Sequence, residues 1–182
     1  MSARRLVIYI AASLDGYIAD ADGGVGWLHD YHSKEIDFSA FDATIDTFVM
    51  GRKTFEKALT YGPWKYSARR AIVVTNRPLE NPPENVEAYD GDIGALAASL
   101  REEGGRNVWI MGGGEIVRAF LNAEAWDEMN LFIMPVVLGD GIRLFPNPSE
   151  RRALTLTSAQ SFANGVVRLD YEKANPAAEQ SR

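Results

Sequence analysis

The chain has no cysteine and only two histidines, His29 and His32, among 182 residues. The first absence excludes disulfides, thiolate nucleophiles and cysteine-bound metals. The second leaves little material for a histidine metal centre or a Ser-His-Asp relay, and no metal site is expected. No apolar run is long enough to cross a bilayer. Positive charge is in deficit: 19 Lys plus Arg against 25 Asp plus Glu leave a net charge of −6. That balance argues against a nucleic-acid partner. The opening MSARRLVIYIAAS carries a strand-length apolar run that continues into SLDGYIAD, so it reads as structure and not as a signal peptide. A soluble, cytoplasmic protein that binds a small molecule is expected.

What is present is ordinary globular composition, 46% hydrophobic and 24% charged. One domain over residues 1–174 with a flexible tail over 175–182 is expected. The chain is organised around residues 108–121, VWIMGGGEIVRAFL. Val108, Trp109, Ile110 and Met111 fit a buried strand. Ile116, Val117, Phe120 and Leu121 recur as one face of a helix. Between them, three glycines put no Cβ in the way of a ligand, and the unpaired N–H groups of a helix start attract anions. A tight strand-to-helix turn would use the same glycines, and this stretch alone does not choose between the two.

Elsewhere, residues 6–12 read as a central strand and 13–26 as a glycine-rich loop. Residues 33–46 have helical spacing, and 47–50 (TFVM) form a second strand. That strand runs into Gly51, Arg52, Lys53 and Thr54 ahead of a short helix over 55–59. Cations at a helix start oppose its dipole, so their placement favours an anion to which Arg52 can fork. Residues 70–75 form a third strand, with Asn76 and Arg77 at its carboxyl tip. A strand over 86–89, a helix over 94–103 and a strand over 128–138 interrupted by Pro135 follow. Alternating runs over 154–161 and 166–172 around Asn164-Gly165 predict a hairpin. The fold class is α/β: a mostly parallel central sheet, an antiparallel C-terminal hairpin and helices on both faces. In such a sheet the tips at residues 51–54, 75–77 and 112–115 share one edge, where an extended, multiply phosphorylated ligand fits.

These segments jointly resemble the dihydrofolate reductase superfamily from residue 6 to about 172. The carrying motifs are IAASLDGYIA at 10–19, Trp27, VMGRKTFE at 49–56, VVTNRP at 73–78, IMGGGEIVRAFL at 110–121 and LFP at 144–146. The resemblance implies that fold and NADPH as cofactor. Ala12 and Ile18 would meet the nicotinamide carboxamide through their backbones. Gly51, Arg52, Lys53 and Thr54 would start the phosphate-holding helix. Thr75, Asn76 and Arg77 would bracket the adenosine ribose and its 2′-phosphate, and the cations Arg52 and Arg77 favour NADP over NAD. Met111 leads into the pyrophosphate cradle of Gly112, Gly113, Gly114 and Glu115, with Ile116 packing behind.

On the substrate side, the carboxylate that holds the pterin in dihydrofolate reductases corresponds to Glu35, with Asp37 beside it. Both are candidate catalytic acids or surface acids. The threonine of those enzymes falls near Ile133, which has no hydroxyl. Trp27, Trp64 and Phe38 suit either a flat pocket or the core, with Trp27, Phe38 and Ile133 taken as substrate-binding positions. His29 and His32 are either proton donors or surface groups. SLDGYIA and PVVLGDG (135–141) are most similar to the reductase domain of the bifunctional riboflavin-biosynthesis deaminase/reductase and its stand-alone relatives. That enzyme reduces a ribosylaminopyrimidine phosphate and commonly has a glutamate where Met111 stands. No deaminase half is expected, since the 182 residues have none of the zinc-binding cysteines of that domain.

The expected function is therefore an NADPH-dependent reductase acting on a small heterocycle or a ribosylaminopyrimidine. Dihydrofolate reductase is one alternative and a non-catalytic NADPH-binding regulator another. A homodimer is expected, with the apolar strand at 131–138 as its contact.

Overall fold

Six strands line up in parallel, and the inner ones are apolar on both faces, as expected where helices cover a sheet on both sides. The structure, a computed structural model, describes residues 3–146 and 151–174; the tail expected over 175–182 lies outside the described residues. In chain order the elements are β1 (Leu6–Ser13), β2 (Tyr17–Ala19), a 3-10 helix (Gly26–Tyr31), α1 (Phe38–Ala43), β3 (Ile45–Gly51), α2 (Arg52–Thr60), β4 (Arg70–Val74) and β5 (Val86–Tyr89). There follow α3 (Ile93–Glu103), β6 (Asn107–Gly112), α4 (Gly114–Asn122), β7 (Glu128–Met134), β8 (Ile142–Arg143), β9 (Leu154–Ser161) and β10 (Val167–Lys173). The main sheet runs β5-β4-β3-β6-β1-β7-β10-β9. Its first six strands are parallel, and the β9–β10 hairpin closes one side antiparallel. β2 and β8 form a separate two-stranded ribbon.

Side chains alternate across the sheet, so each strand feeds two layers. Leu6, Ile8, Ile10 and Ala12 of β1 pack with Leu96 and Leu100 of α3 and Val117 and Phe120 of α4. Tyr9 and Ala11 point the other way, toward Trp27, Leu28, Phe132 and Met134. Phe55 of α2 and Phe41 of α1 cover that second face beside Phe48, Met50 and Trp109. The expected fold class, with helices on both faces, is what the structure shows.

Three expectations change. The helix read over 33–46 contracts to α1, because the Asp37 carboxylate accepts from the Ala40 N–H and caps a later start. The loop over 13–26 contains β2, and the 3-10 helix begins at its end. The strand read over 128–138 stops at Met134, since Pro135 has no N–H to continue the ladder. β7 also lies between β1 and β10, so Leu131, Phe132 and Met134 are buried within the fold, while Val137 beyond the strand is exposed.

Candidate functional site

β4, β3 and β6 are neighbours, and their carboxyl tips are level: Gly51 stands beside Val74, and Met50 beside Gly112. The three tips singled out in the sequence therefore share one edge. Two of them pass directly into helices. Gly51 caps α2 and Gly113 caps α4, each with extended ψ and no capping side chain, so the first N–H groups of both helices lack a side-chain acceptor. Gly112 sits at φ +113°, a conformation only glycine adopts readily, and the Gly112–Gly113 peptide is cis.

The glycines differ in what surrounds them. A Cβ on Gly114 would lie 2.2 Å from the Arg143 carbonyl oxygen and 3.1 Å from that of Leu144. A Cβ on Gly51 would meet Ile116 Cγ1 at 3.0 Å. Those two glycines are packed against the protein. At Gly113 the nearest groups would be Thr54 Oγ1 at 3.5 Å and Ile18 Cδ1 at 3.7 Å. Thr54, Ile18 and the glycine turn, predicted from three separate segments, therefore meet at one point.

The cations are not equivalent. Arg52 is engaged: Nε donates to Thr75 Oγ1 at 2.9 Å, Nη1 to Glu56 Oε1 at 3.1 Å, and Nη2 to the carbonyls of Arg77 and Pro78 at 2.5 and 2.6 Å. It braces the start of α2 against the tip of β4. Thr75 Oγ1 also accepts from the Arg77 N–H at 3.2 Å, which shapes the turn. Lys53, Asn76, Arg77 and Glu115 are exposed. Glu115 is ion-paired with Arg118 one helical turn away.

At the tip of β1, Ala12 and Ser13 are buried. Sequence reasoning treated Asp15 only as part of a turn, but its carboxylate accepts from Ser13 Oγ at 2.6 Å, Gly139 N at 2.7 Å and Leu138 N at 3.1 Å. The Ser13 hydroxyl first, then the two N–H groups, hold its pKa at about 2 against opposing desolvation. The carboxylate thus latches the loop after β7 to the loop after β1. Tyr17 reinforces this region, since Arg143 lies over its ring and donates to its hydroxyl at 3.0 Å.

The second face of the sheet carries aromatic side chains. Tyr9 stacks on Phe41 at 4.0 Å, with Phe38, Trp109 and Phe132 around it. Burial pushes the Tyr9 phenol up to about 12, so it stays neutral. Trp27 lies in the adjoining cluster, and its buried indole N–H has no hydrogen-bond partner among the described residues. Trp64 is further away in sequence order and packs against Phe55 and Tyr66. Met111 belongs to this face. Ile133 does not: it packs on the opposite face, that of Ala12 and Ile18. Glu35 is exposed and accepts from the Ala163 N–H in the β9–β10 turn. Asp37 caps α1, and bonds from Ser39 and then Ala40 hold its pKa below the usual carboxylate range. His29 and His32 are exposed and stack on each other.

Two surface concavities, of about 300 and 540 Å³, open at the amino ends of the strands, away from these tips. Ion pairs such as Arg70–Glu87 and Arg101–Asp127 occupy their walls.

The pattern of the RibD C-terminal domain matches residues 4–168. The chain belongs to that family. YwjB of Bacillus subtilis (strain 168), an uncharacterised protein, is 36% identical over 173 residues, covering 94% of this chain and 99% of YwjB. Among solved structures, a proposed riboflavin biosynthesis protein from Shewanella sp. PV-4 superposes with a TM-score of 0.83 at 28% identity, over 94% of this chain and 99% of that one. A dihydrofolate reductase from Enterococcus faecalis complexed with NADP(H) shares the fold, with a TM-score of 0.67 at 18% identity over 94% and 97% of the two chains. The RibD-type resemblance and the dihydrofolate-reductase-like fold are both shown. Among the described residues no helix is long and apolar enough to cross a membrane.

Proposed function

We propose that this chain is a cytoplasmic NADPH-dependent reductase of the riboflavin-reductase type, acting on a small heterocycle. The observation that carries this reading is the meeting of Gly113, Thr54 and Ile18 beside two helix starts without capping side chains. Such a place suits a pyrophosphate: backbone N–H groups face it, both helix dipoles favour negative charge, and no Cβ intrudes. Gly112, Gly113, Gly114 and Glu115 would hold the diphosphate, with Ile116 packed behind. Thr54 and Lys53 would add a hydroxyl and a charge. Arg77, exposed at the tip of β4, is the cation assigned to the 2′-phosphate, and Arg52 orients that turn through its bonds to the Arg77 and Pro78 carbonyls. Ala12 and Ile18 would face the nicotinamide end. When bound, NADPH supplies a hydride; the chain's own part is to align the acceptor and keep water out.

The alternation along β1 separates the two ligands. Ile10 and Ala12 serve the face of α4, while Tyr9 and Ala11 serve the face of Trp27 and Phe38. An acceptor lying over Ala11 would meet aromatic and thioether groups. The acids of a pterin site are committed elsewhere, Glu35 to the hairpin turn and Asp37 to the cap of α1. This supports a neutral planar heterocycle over dihydrofolate. Trp27 Nε1, like Trp64 Nε1 a buried donor with no partner among the described residues, would be free to meet a ring carbonyl or nitrogen.

The test is cofactor binding followed by turnover. NADPH should quench tryptophan fluorescence at micromolar concentration, more tightly than NADH, and be oxidised in the presence of flavin-precursor pyrimidines or related heterocycles. Absence of NADPH binding overturns the proposal. Tight binding without oxidation by any acceptor would favour a regulatory NADPH-binding protein.

A further inference from the structure

The Asn164-Gly165 turn between β9 and β10 bonds to a distant part of the chain. Asn164 uses both ends of its side-chain amide. Oδ1 accepts from the Val166 N–H at 3.3 Å, and Nδ2 donates to the Tyr31 carbonyl at 2.8 Å, 133 residues away. One residue earlier, the Ala163 N–H donates to Glu35 Oε2 at 3.2 Å. The turn is itself fixed from within and from behind. The Gly165 N–H donates to the Phe162 carbonyl at 2.9 Å, and a Cβ on Gly165, at φ +84°, would lie 3.2 Å from Pro135 Cγ.

The segment that the turn holds has few supports of its own. The 3-10 helix Gly26–Tyr31 runs for six residues, longer than this tighter helix usually sustains, with no side-chain cap at Val25 and no fully buried residue. Trp27, Leu28 and Tyr31 are half-buried against Phe132, Met134, Phe162 and Val166, on the face to which Tyr9 and Ala11 point. Ahead of the helix, Lys57 Nζ donates to the Asp22 carbonyl at 3.2 Å, but that bond is open to water. The Asn164–Tyr31 bond is partly shielded, where a hydrogen bond holds better and a carbonyl left unpaired costs more.

We propose that Asn164 is a positioning residue for the hydride acceptor: its Nδ2–H, by holding the Tyr31 carbonyl, keeps Trp27 in place against the face of Tyr9 and Ala11. The inference rests on reading that face as the acceptor compartment, and it adds a residue that acts through another. Geometry separates it from the cofactor. Ile18, which meets Gly113, packs with Ala12 and α4 on the other side of β1, whereas Phe162 and Val166 of the hairpin pack with Trp27. A loosened Tyr31 therefore alters the acceptor wall and leaves the diphosphate cradle as it was. The amide at 164 also has a chemical reason. An aspartate there would still accept from the Val166 N–H, but it would face the Tyr31 carbonyl with no hydrogen to give. The turn would form and the tether would not.

Calorimetry on the NADP⁺ complex, with 5-amino-6-(5-phosphoribosylamino)uracil as the acceptor, tests this without turnover. Asn164→Asp should weaken the uracil by about 5- to 10-fold, the worth of one lost hydrogen bond, and leave NADPH affinity within about twofold. Amide exchange over residues 27–32 should be about tenfold faster in that variant. Asn164→Ala, which also loses the bond from Val166, should weaken the uracil equally and lower Tm as well. Thr157→Ala removes another bond of the same hairpin, from Oγ1 to the Asp170 carbonyl at 3.0 Å, and should lower Tm without moving either affinity. That control tells a positioning role from a general loosening of the hairpin. Unchanged uracil affinity in Asn164→Asp, or an equal loss in Thr157→Ala, would overturn the assignment of Asn164 and leave the cofactor reading intact. A wild type that binds NADPH but not the uracil would overturn the acceptor compartment, and this assignment with it. A wild type that binds no NADPH would overturn the cofactor reading itself.

Discussion

Arg52 and Thr75 are joined across the strand tips, the guanidinium Nε donating to the threonine hydroxyl at 2.9 Å. An arginine at a helix start, which its own dipole disfavours, is explained in part by protein acceptors on the neighbouring tip. Its neighbour Arg77 keeps an exposed side chain.

The two arginines should therefore separate in experiment. Arg77→Ala is expected to weaken NADPH by roughly 10- to 100-fold, the value of one charge-assisted contact of about 1.5–3 kcal/mol, and to leave NADH nearly unchanged. Arg52→Ala should weaken both cofactors and lower Tm, because the turn it braces loses its form. Titration of each variant with the two cofactors, alongside thermal melts, checks this. Equal losses for NADPH and NADH at Arg77 would move the 2′-phosphate elsewhere.

Gly113 and Gly114 make a second contrast. Gly114→Ala places a methyl 2.2 Å from the Arg143 oxygen. It should destabilise the fold by about 1–3 kcal/mol or more through overpacking. Gly113→Ala has room and should fold normally, yet its methyl enters the cradle and should cost at least tenfold in NADPH affinity. Chemical denaturation and fluorescence titration report the two effects separately.

Asp15 predicts a pH dependence. Its carboxyl, held at about 2 in the fold, titrates nearer 3.9 in an unfolded chain. A depressed folded value contributes stability that is present above about pH 4 and lost as pH falls through 2. Asp15→Asn should lower Tm at neutral pH and flatten the acid limb of the stability curve between those values. A wild-type acid limb retained in the variant would assign that limb to other carboxylates.

Glu35 and Asp37 should prove structural. Asp37→Ala removes an N-cap and should cost about 1 kcal/mol, whereas Asp37→Asn, which can still cap, should cost little. Glu35→Gln should leave kcat within about twofold. A tenfold fall in kcat for Glu35→Gln, at unchanged stability, would place that acid in the chemistry.

What was legible in the sequence is what local spacing encodes. The strand–glycine–helix unit at residues 107–122 was readable because a buried strand and an amphipathic helix have different periods, and glycine marks the change. The hairpin around Asn164-Gly165 was readable for the same reason. Contacts between distant segments left no such trace. Nothing in SLDG announces that Asp15 bonds the N–H groups of Leu138 and Gly139. Nothing in GRKT says that Arg52 turns to the tip of β4. The short α1 was misread because the apolar spacing over 33–46 was weighed above the capping carboxylate of Asp37. The interior place of β7 and the exposed edge at β9 come from the sheet order, which the crossovers set and which no single strand records.

Consecutive residues of β1 look into separate compartments, Ala11 on one side and Ala12 on the other. Under the proposed function, enlarging the side chain at 11 would change which acceptors enter, while position 12 would stay matched to the dinucleotide. On that reading a single position would tune the acceptor without disturbing the fit of the reductant.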